Sequence, residues 1–260
     1  FYVIGEASAI ADMSADNAKL GLMGAGINEC TKEARAGLYE KYVALEGGKD
    51  FELVYVDGDQ ITHYGADSLA LGDPYDVENG VTIQIYKGIL AQNKKLRVEK
   101  SGFYHIALDL NVNGDLPNAS ILISPVDWQL SDGTALTASD FNKTSMSFTV
   151  KDVTKMKNSQ YKYRWGNGWK IKVTPAAEVN IETNLGEGMK SGGADIKITK
   201  SGVYDFTLTW TLTGGAIEKS FKETLNCTKE IEDKAPDNLY MIGNFCSWDW
   251  KSAAAMIPVG

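Results

Sequence analysis

The sequence predicts an all-β protein built from tandem antiparallel β-sandwich modules. Three observations carry that prediction: a motif that recurs along the chain, strict alternation of apolar and polar residues after each copy, and a shortage of helix signals. The Lys-Ser-Gly-x-Tyr core at residues 100–104 returns at 200–204. Behind it run Tyr104, Ile106, Leu108, Leu110 and Val112 in one copy, and Tyr204, Phe206, Leu208, Trp210 and Leu212 in the other. A period of two puts these side chains on one face of a strand, the face that a sheet buries. The Ser-Gly pair ahead of each strand reads as a turn.

Other elements repeat around this one. Phe1-Tyr-Val-Ile-Gly, Ile121-Leu-Ile-Ser and Leu239-Tyr-Met-Ile-Gly read as equivalent opening strands, with Ile4, Ile123 and Ile242 at equal intervals. Phe51-Glu-Leu-Val-Tyr pairs with Tyr161-Lys-Tyr-Arg-Trp. Strands persist and loops change length when a module is duplicated, which accounts for unequal offsets among the motifs. The chain therefore divides into a module at 1–116, a second at 117–228, a charged, proline-containing linker at 229–238, and the opening strand of a third module at 239–260. The last segment is too short to bury a core of its own. Several short strands in each module, separated by Asp-Gly, Asn-Gly and Gly-Gly turns, point to immunoglobulin-like sandwiches. The one stretch with helical character, Asn28 to Val43, is interrupted by Gly37.

Composition excludes several classes of function. The chain has 260 residues, 43% of them hydrophobic and 23% charged, which is ordinary for a globular protein. Its formal net charge is −8, so it would repel a phosphate backbone. No apolar run approaches the length needed to span a bilayer as a helix. Three cysteines, Cys30, Cys227 and Cys246, do not make a disulfide framework, and two histidines, His63 and His105, do not make a metal cluster. No cofactor is expected. Asp57-Gly-Asp59 reads as a turn rather than a calcium loop, and Gly21-Leu-Met-Gly-Ala-Gly26 lacks phosphate-loop spacing. His105 alternates away from the buried face and is expected in solvent. Small duplicated sandwiches leave little depth for a catalytic cleft, so an enzyme is not expected.

The tryptophans carry the functional reading. Trp210 is in phase with the core, and Trp165 is in phase with Tyr161 and Tyr163. Trp128 and Trp169 read as loop residues beside the sandwich, and large exposed indoles need a reason. Stacking on a pyranose is one such reason, with Arg164, Asn167 and Lys170 near enough in sequence to meet sugar hydroxyls. The bland alternative is a lid of tryptophans over one end of the sandwich. The third segment repeats the signal in Gly243-Asn-Phe-Cys-Ser-Trp-Asp-Trp250. The first module has no tryptophan in its equivalent stretch and carries Tyr55, His63 and Tyr64 in its hairpin instead.

Taken together, the opening strands followed by tryptophan, the aromatic hairpin and the Ser-Gly-x-Tyr strand ending in Asp109-Leu110-Asn111 resemble the modules of SusE/SusF-type starch-binding lipoproteins. The resemblance spans both modules and the start of the third. It implies a non-catalytic protein on the outer membrane of a Gram-negative bacterium. Its lipidated cysteine would lie upstream of Phe1, and it would hold starch or a similar α-glucan near a transporter. On that resemblance the binding residues would be Trp128 with Trp165 or Trp169, a hydroxyl-binding cation at Lys170 or Arg164, and Trp248 or Trp250 in the third module. The first module would be a spacer or a degenerate site. The competing reading is a structural spacer or docking subunit of the transport complex, with buried tryptophans and no affinity for sugar.

Overall fold

A computed structural model describes residues 1–27, 34–71, 75–77, 81–110, 119–165, 182–184, 196–233, 239–241 and 254–256. The protein is all-β with antiparallel sheets. The only helical elements among the described residues are 3₁₀ turns at Ala18–Gly21 and Ile217–Ser220. The chain divides into two units, Phe1–Glu230 and Ile231–Gly260, with the division inside the charged segment expected to be a linker.

In the first unit, β1 (Tyr2–Ile4), β2 (Gly24–Ile27), β3 (Ala34–Leu45), β4 (Asp50–Asp57), β5 (Gln60–Ala66) and β6 (Ala70–Leu71) open the chain. A small hairpin of β7 (Tyr75–Val77) and β8 (Val81–Ile83) follows, then β9 (Tyr86–Gln92), β10 (Leu96–Arg97), β11 (Gly102–Asp109) and β12 (Ser120–Pro125). Apart from the β7–β8 hairpin these strands make one sheet in the order β1-β4-β5-β9-β12-β11-β3-β2, with β10 added to β4 and β6 to β9. A bridge between Tyr2 and Leu22 brings its two ends together. Asp57-Gly58-Asp59-Gln60 is the tight β4–β5 turn, with Gly58 at φ 57°, a conformation open to glycine at no steric cost.

The chain continues with β13 (Trp128–Leu130), β14 (Thr137–Ala138), β15 (Ser145–Lys155), β16 (Gln160–Tyr161), β17 (Tyr163–Trp165), β18 (Glu182–Asn184), β19 (Ile196–Lys197), β20 (Gly202–Thr211) and β21 (Phe221–Glu230). β14-β15-β20-β21-β18 form a sheet, while β13 pairs with β17 and β16 with β19. In the second unit β22 (Leu239–Met241) pairs with β23 (Ala254–Met256).

Strand register demonstrates the duplication. Leu96 faces Phe51 across β10–β4, and Ile196 faces Tyr161 across β19–β16. Gly102 faces Leu45 on β3, as Gly202 faces Lys155 on β15. Leu108 faces Ile121 on β12, and Leu208 faces Glu223 on β21. The repeated turn works identically in both copies. Ser101 Oγ accepts from Gly47 N–H at 3.0 Å, and Ser201 Oγ accepts from Lys157 N–H at 2.8 Å. The repeated tyrosine closes the corner: Tyr104 donates its hydroxyl to the Lys100 carbonyl at 2.6 Å, and Tyr204 donates to the Lys200 carbonyl. Tyr204→Phe removes that bond inside a buried core. It is expected to cost about 1–3 kcal/mol in a denaturant titration, with the fold retained.

Register also corrects three expectations. Ser120–Pro125 is not the opening strand of the second module; it pairs with β11 and β9 and closes the first sheet, so the first repeat runs past residue 116 to Pro125. The true counterpart of β1 is β13, because Tyr2 faces Val54 as Gln129 faces Arg164. That alignment sets Trp128 opposite Trp165 in the place where the first repeat has Phe1, and Ile4 corresponds to Ser131 rather than Ile123. Finally, the described part of the stretch read as helical, from Ala34 onward, is a long strand. Its pairing to β11 on one side and β2 on the other outweighs the helix propensity of Ala, Glu and Lys.

Candidate functional site

Of the aromatic residues singled out in the second repeat, Trp128 and Trp165 come together, but inside the protein. β12 ends at Pro125 and β13 begins at Trp128, so only Val126 and Asp127 separate the two sheet systems. With no slack between them, the repeats pack directly against each other. Val43 and Leu45 of β3 point into the core of the first repeat, whereas Tyr42 and Ala44 on the opposite face join the core of the second. Phe103 of β11 does the same, while its neighbour Tyr104 faces inward.

The result is an aromatic seam. Tyr42 stacks on Trp128 with ring centroids 6.1 Å apart, and Trp165 Nε1 donates to the Tyr42 hydroxyl at 3.1 Å. Phe103 meets Phe148 at 5.2 Å and Trp210 at 5.0 Å, and Phe221 lies edge-on to Trp128 at 5.5 Å. Trp128 is 1% exposed and Trp165 is 2% exposed. Neither offers a face to a sugar, which corrects the expectation of a loop platform at Trp128 and removes Trp165 from the stacking set. Trp210 is in the core, as its phase implied. Arg164, on the other face of β17, is half-buried.

His105 is likewise drawn out of solvent. Its ring lies 4.6 Å from Tyr42 and 5.7 Å from Trp165, and Nε2 sits 2.8 Å from Glu40 Oε2. The outer face of β11 is solvent-exposed only in an isolated first repeat, and docking covers it.

Polar contacts complete the seam. The Lys41 ammonium donates to the carbonyls of Leu20 (2.9 Å), Leu22 (3.2 Å) and Thr213 (2.9 Å), tying the first repeat to the loop after β20. Burial pulls its pKa down to about 8. Gly215 N–H donates to the Leu22 carbonyl at 3.0 Å beside it. Lys143 of the second repeat reaches the Glu6 carbonyl and the Glu46 carboxylate, each at 2.6 Å.

A second feature recurs along the chain. Tyr2 bridges back to Leu22 and Gln129 to Ala135, each as an isolated bridge, and Tyr240 of β22 faces Ala255 of β23. In the second repeat the connection is a tight turn. Leu130 N–H donates to the Thr134 carbonyl at 2.8 Å, and Thr134 N–H donates to Asp132 Oδ1 at 3.0 Å. Asp132 Oδ2 meets Lys155 Nζ at 2.6 Å. Burial would raise the Asp132 carboxyl, but the bonds from Lys155 and Thr134 outweigh it and hold the pKa at about 2. In the first repeat the connection is longer and anchored by Ser8, whose hydroxyl donates to the Ile10 carbonyl at 3.0 Å; it carries no tryptophan. In the third module residues 242–253 make the connection, and by sequence they carry Trp248 and Trp250.

Trp169, Lys170, Trp248 and Trp250 lie outside the described residues, as do Asn167, Cys30 and Cys246. Among the described residues there is no group of His, Cys, Asp and Glu that would hold a metal ion. No described helix is long and apolar enough to cross a membrane. The first repeat has a cleft of about 290 Å³ where Tyr86, Arg97, Glu99 and Lys100 surround an apolar floor that includes Ile123. No known protein family, curated protein or solved structure matches this chain.

Proposed function

We propose that this chain is a non-catalytic, polysaccharide-binding protein of a bacterial cell-surface glycan-uptake system, with an α-glucan such as starch as its ligand. Residues 1–230 are the spacer body of immunoglobulin-like sandwiches. The sugar contact belongs to Trp248 and Trp250, supplemented by Trp169 and Lys170. A lipid anchor preceding Phe1 and a transporter partner at the outer membrane complete the reading.

One observation carries it. A β-bridge from Tyr2, Gln129 and Tyr240 back to a later residue recurs three times, and its connection is reduced to a turn in the second repeat and lacks tryptophan in the first. Only the third connection pairs two indoles two residues apart. An indole ring stacks on the C–H face of a hexose, and tandem modules raise effective affinity for a repeating polymer. The hydroxyl-to-carbonyl tyrosine corner in both repeats supports the immunoglobulin-like architecture.

Affinity electrophoresis in gels containing amylopectin tests the proposal. The chain is expected to be retarded, and Trp248→Ala with Trp250→Ala is expected to weaken the interaction by about tenfold to a hundredfold, the cost of losing anchor residues. Unchanged mobility in amylopectin and in other glycans would sink it.

The burial of Trp128 and Trp165 favours a second reading, a spacer or docking subunit with no sugar affinity. Acrylamide quenching separates the two. Trp128, Trp165 and Trp210 are shielded, so any quenchable emission belongs to Trp169, Trp248 or Trp250. Emission fully protected from acrylamide would favour the spacer.

A further inference from the structure

We propose that the second repeat carries a proton-operated latch that the first repeat lacks: Glu223, protonated, holds the β16–β17 segment against β21, and its ionisation loosens that contact. The argument starts from the duplication. Phe51, Leu53 and Ile121 form an apolar trio in the first core. Register places Tyr161, Tyr163 and Glu223 at the same three positions of the second. Where the first repeat has three apolar side chains, the second has two tyrosines that both donate to one glutamate, in a site that is equally dry.

The geometry is specific. Glu223 is 0% exposed. Its Oε1 accepts both tyrosine hydroxyls, each at 2.6 Å, from residues two positions apart along the chain. Its Oε2 is buried and has no hydrogen-bond partner among the described residues. The groups around it are accounted for element by element. β16 contributes Tyr161 and β17 contributes Tyr163, while β20 contributes Tyr204, which acts on Tyr161. β18 contributes the backbone of Thr183, paired opposite Glu223. Lys222, the adjacent cation on β21, is on the exposed face of that strand. No ion pair to Glu223 occurs among the described residues.

A carboxylate in this position would be a desolvated anion with one oxygen unsatisfied, which burial penalises heavily. Burial accordingly raises the Glu223 carboxyl above the usual glutamate value, against the opposing pull of the two tyrosine hydroxyls. Burial also holds both tyrosines firmly protonated. The linkage has a definite sign. The folded chain binds this proton more tightly than the unfolded chain, so the contribution to stability is complete below the ordinary glutamate value. It is lost as pH rises through the raised one. Within that window the ratio of unfolded to folded protein grows up to tenfold per pH unit from this group alone. The segment that is loosened, Tyr163–Trp165, leads directly in sequence to Trp169 and Lys170.

The test is a denaturant titration of the full chain from pH 4 to pH 8, comparing wild type with Glu223→Gln, which keeps the acceptor oxygen without the charge. The difference between the two profiles is expected to change up to tenfold per pH unit above the ordinary glutamate range, with Glu223→Gln the flatter. Parallel profiles would overturn the proposal. If Glu223→Gln does not fold, the side-chain carboxyl ¹³C shift of Glu223 in the wild type decides instead. A midpoint above the usual range supports the latch, and a midpoint at the ordinary glutamate value refutes it.

Discussion

Trp128→Ala is expected to lower the free energy of unfolding by about 3–5 kcal/mol, the usual range for deleting a large aromatic side chain from a packed core. The same variant is expected to leave the mobility of the chain in polysaccharide gels unchanged. Both halves of this expectation come from the seam. Trp128 touches Tyr42 of the first repeat and Phe148 and Phe221 of the second, so its removal opens a cavity that neither sheet can close alone. Its buried Nε1 has no acceptor among the described residues, so the indole contributes packing rather than a hydrogen bond there. Trp128→Phe should therefore be much milder, because the first repeat already uses Phe1 at the equivalent position. Denaturation followed by circular dichroism, alongside gel retardation, reads both variants. A Trp128→Ala chain that keeps wild-type stability but loses sugar affinity would restore the platform reading and remove the seam from the argument.

Gly214→Ala is the second large expectation, at about 3 kcal/mol of destabilisation, the upper end of what overpacking costs. A Cβ on Gly214 would overlap the Lys19 carbonyl oxygen, and the obstacle is backbone, which cannot rotate out of the way. The loop after β20 would have to lift. Lifting it breaks the Gly215 N–H bond to Leu22 and takes the Thr213 carbonyl away from Lys41. The junction is also tight from the other side, since a Cβ on Gly24 would meet the Gly215 carbonyl oxygen at 2.7 Å. Because the damage is confined to the junction, the variant is also expected to separate one unfolding transition into two, one for each repeat. A calorimetric scan checks this. A single transition with wild-type midpoint would show that the junction contributes nothing to cooperativity.

Much of the fold was legible in the residues, and the reason is local. Tyr204, Phe206, Leu208 and Trp210 alternate with polar neighbours, and alternation reports directly which face of a strand is buried. The Ser-Gly-x-Tyr turn could be read because its hydrogen bonds run over a few residues. The aromatic site could not be read in the same way. Trp128 sits between Asp127 and Gln129, three residues after Pro125, which is how a loop looks in sequence. What buries it is Tyr42, far away along the chain. β3 appears helical for a related reason: both of its faces are covered at its C-terminal end, so Tyr42, Val43, Ala44 and Leu45 show no alternation to mark a strand. Glu223 did carry a signal, since it is in phase with Phe221 and Leu225 on the buried face of its strand, but that phase does not name the two tyrosines it meets.

The sequence by itself determined the β-strands, the turns and the fact of duplication, because each depends on neighbours within a few residues or on comparing one copy with another. Only the tertiary structure decided the register that matches β1 to β13, the burial of Trp128 and Trp165, and the meeting of Glu223 with its two tyrosines. A strand's pattern specifies one buried face. Whether the other face meets water or a second module depends on how two sheets joined by two residues are forced to pack.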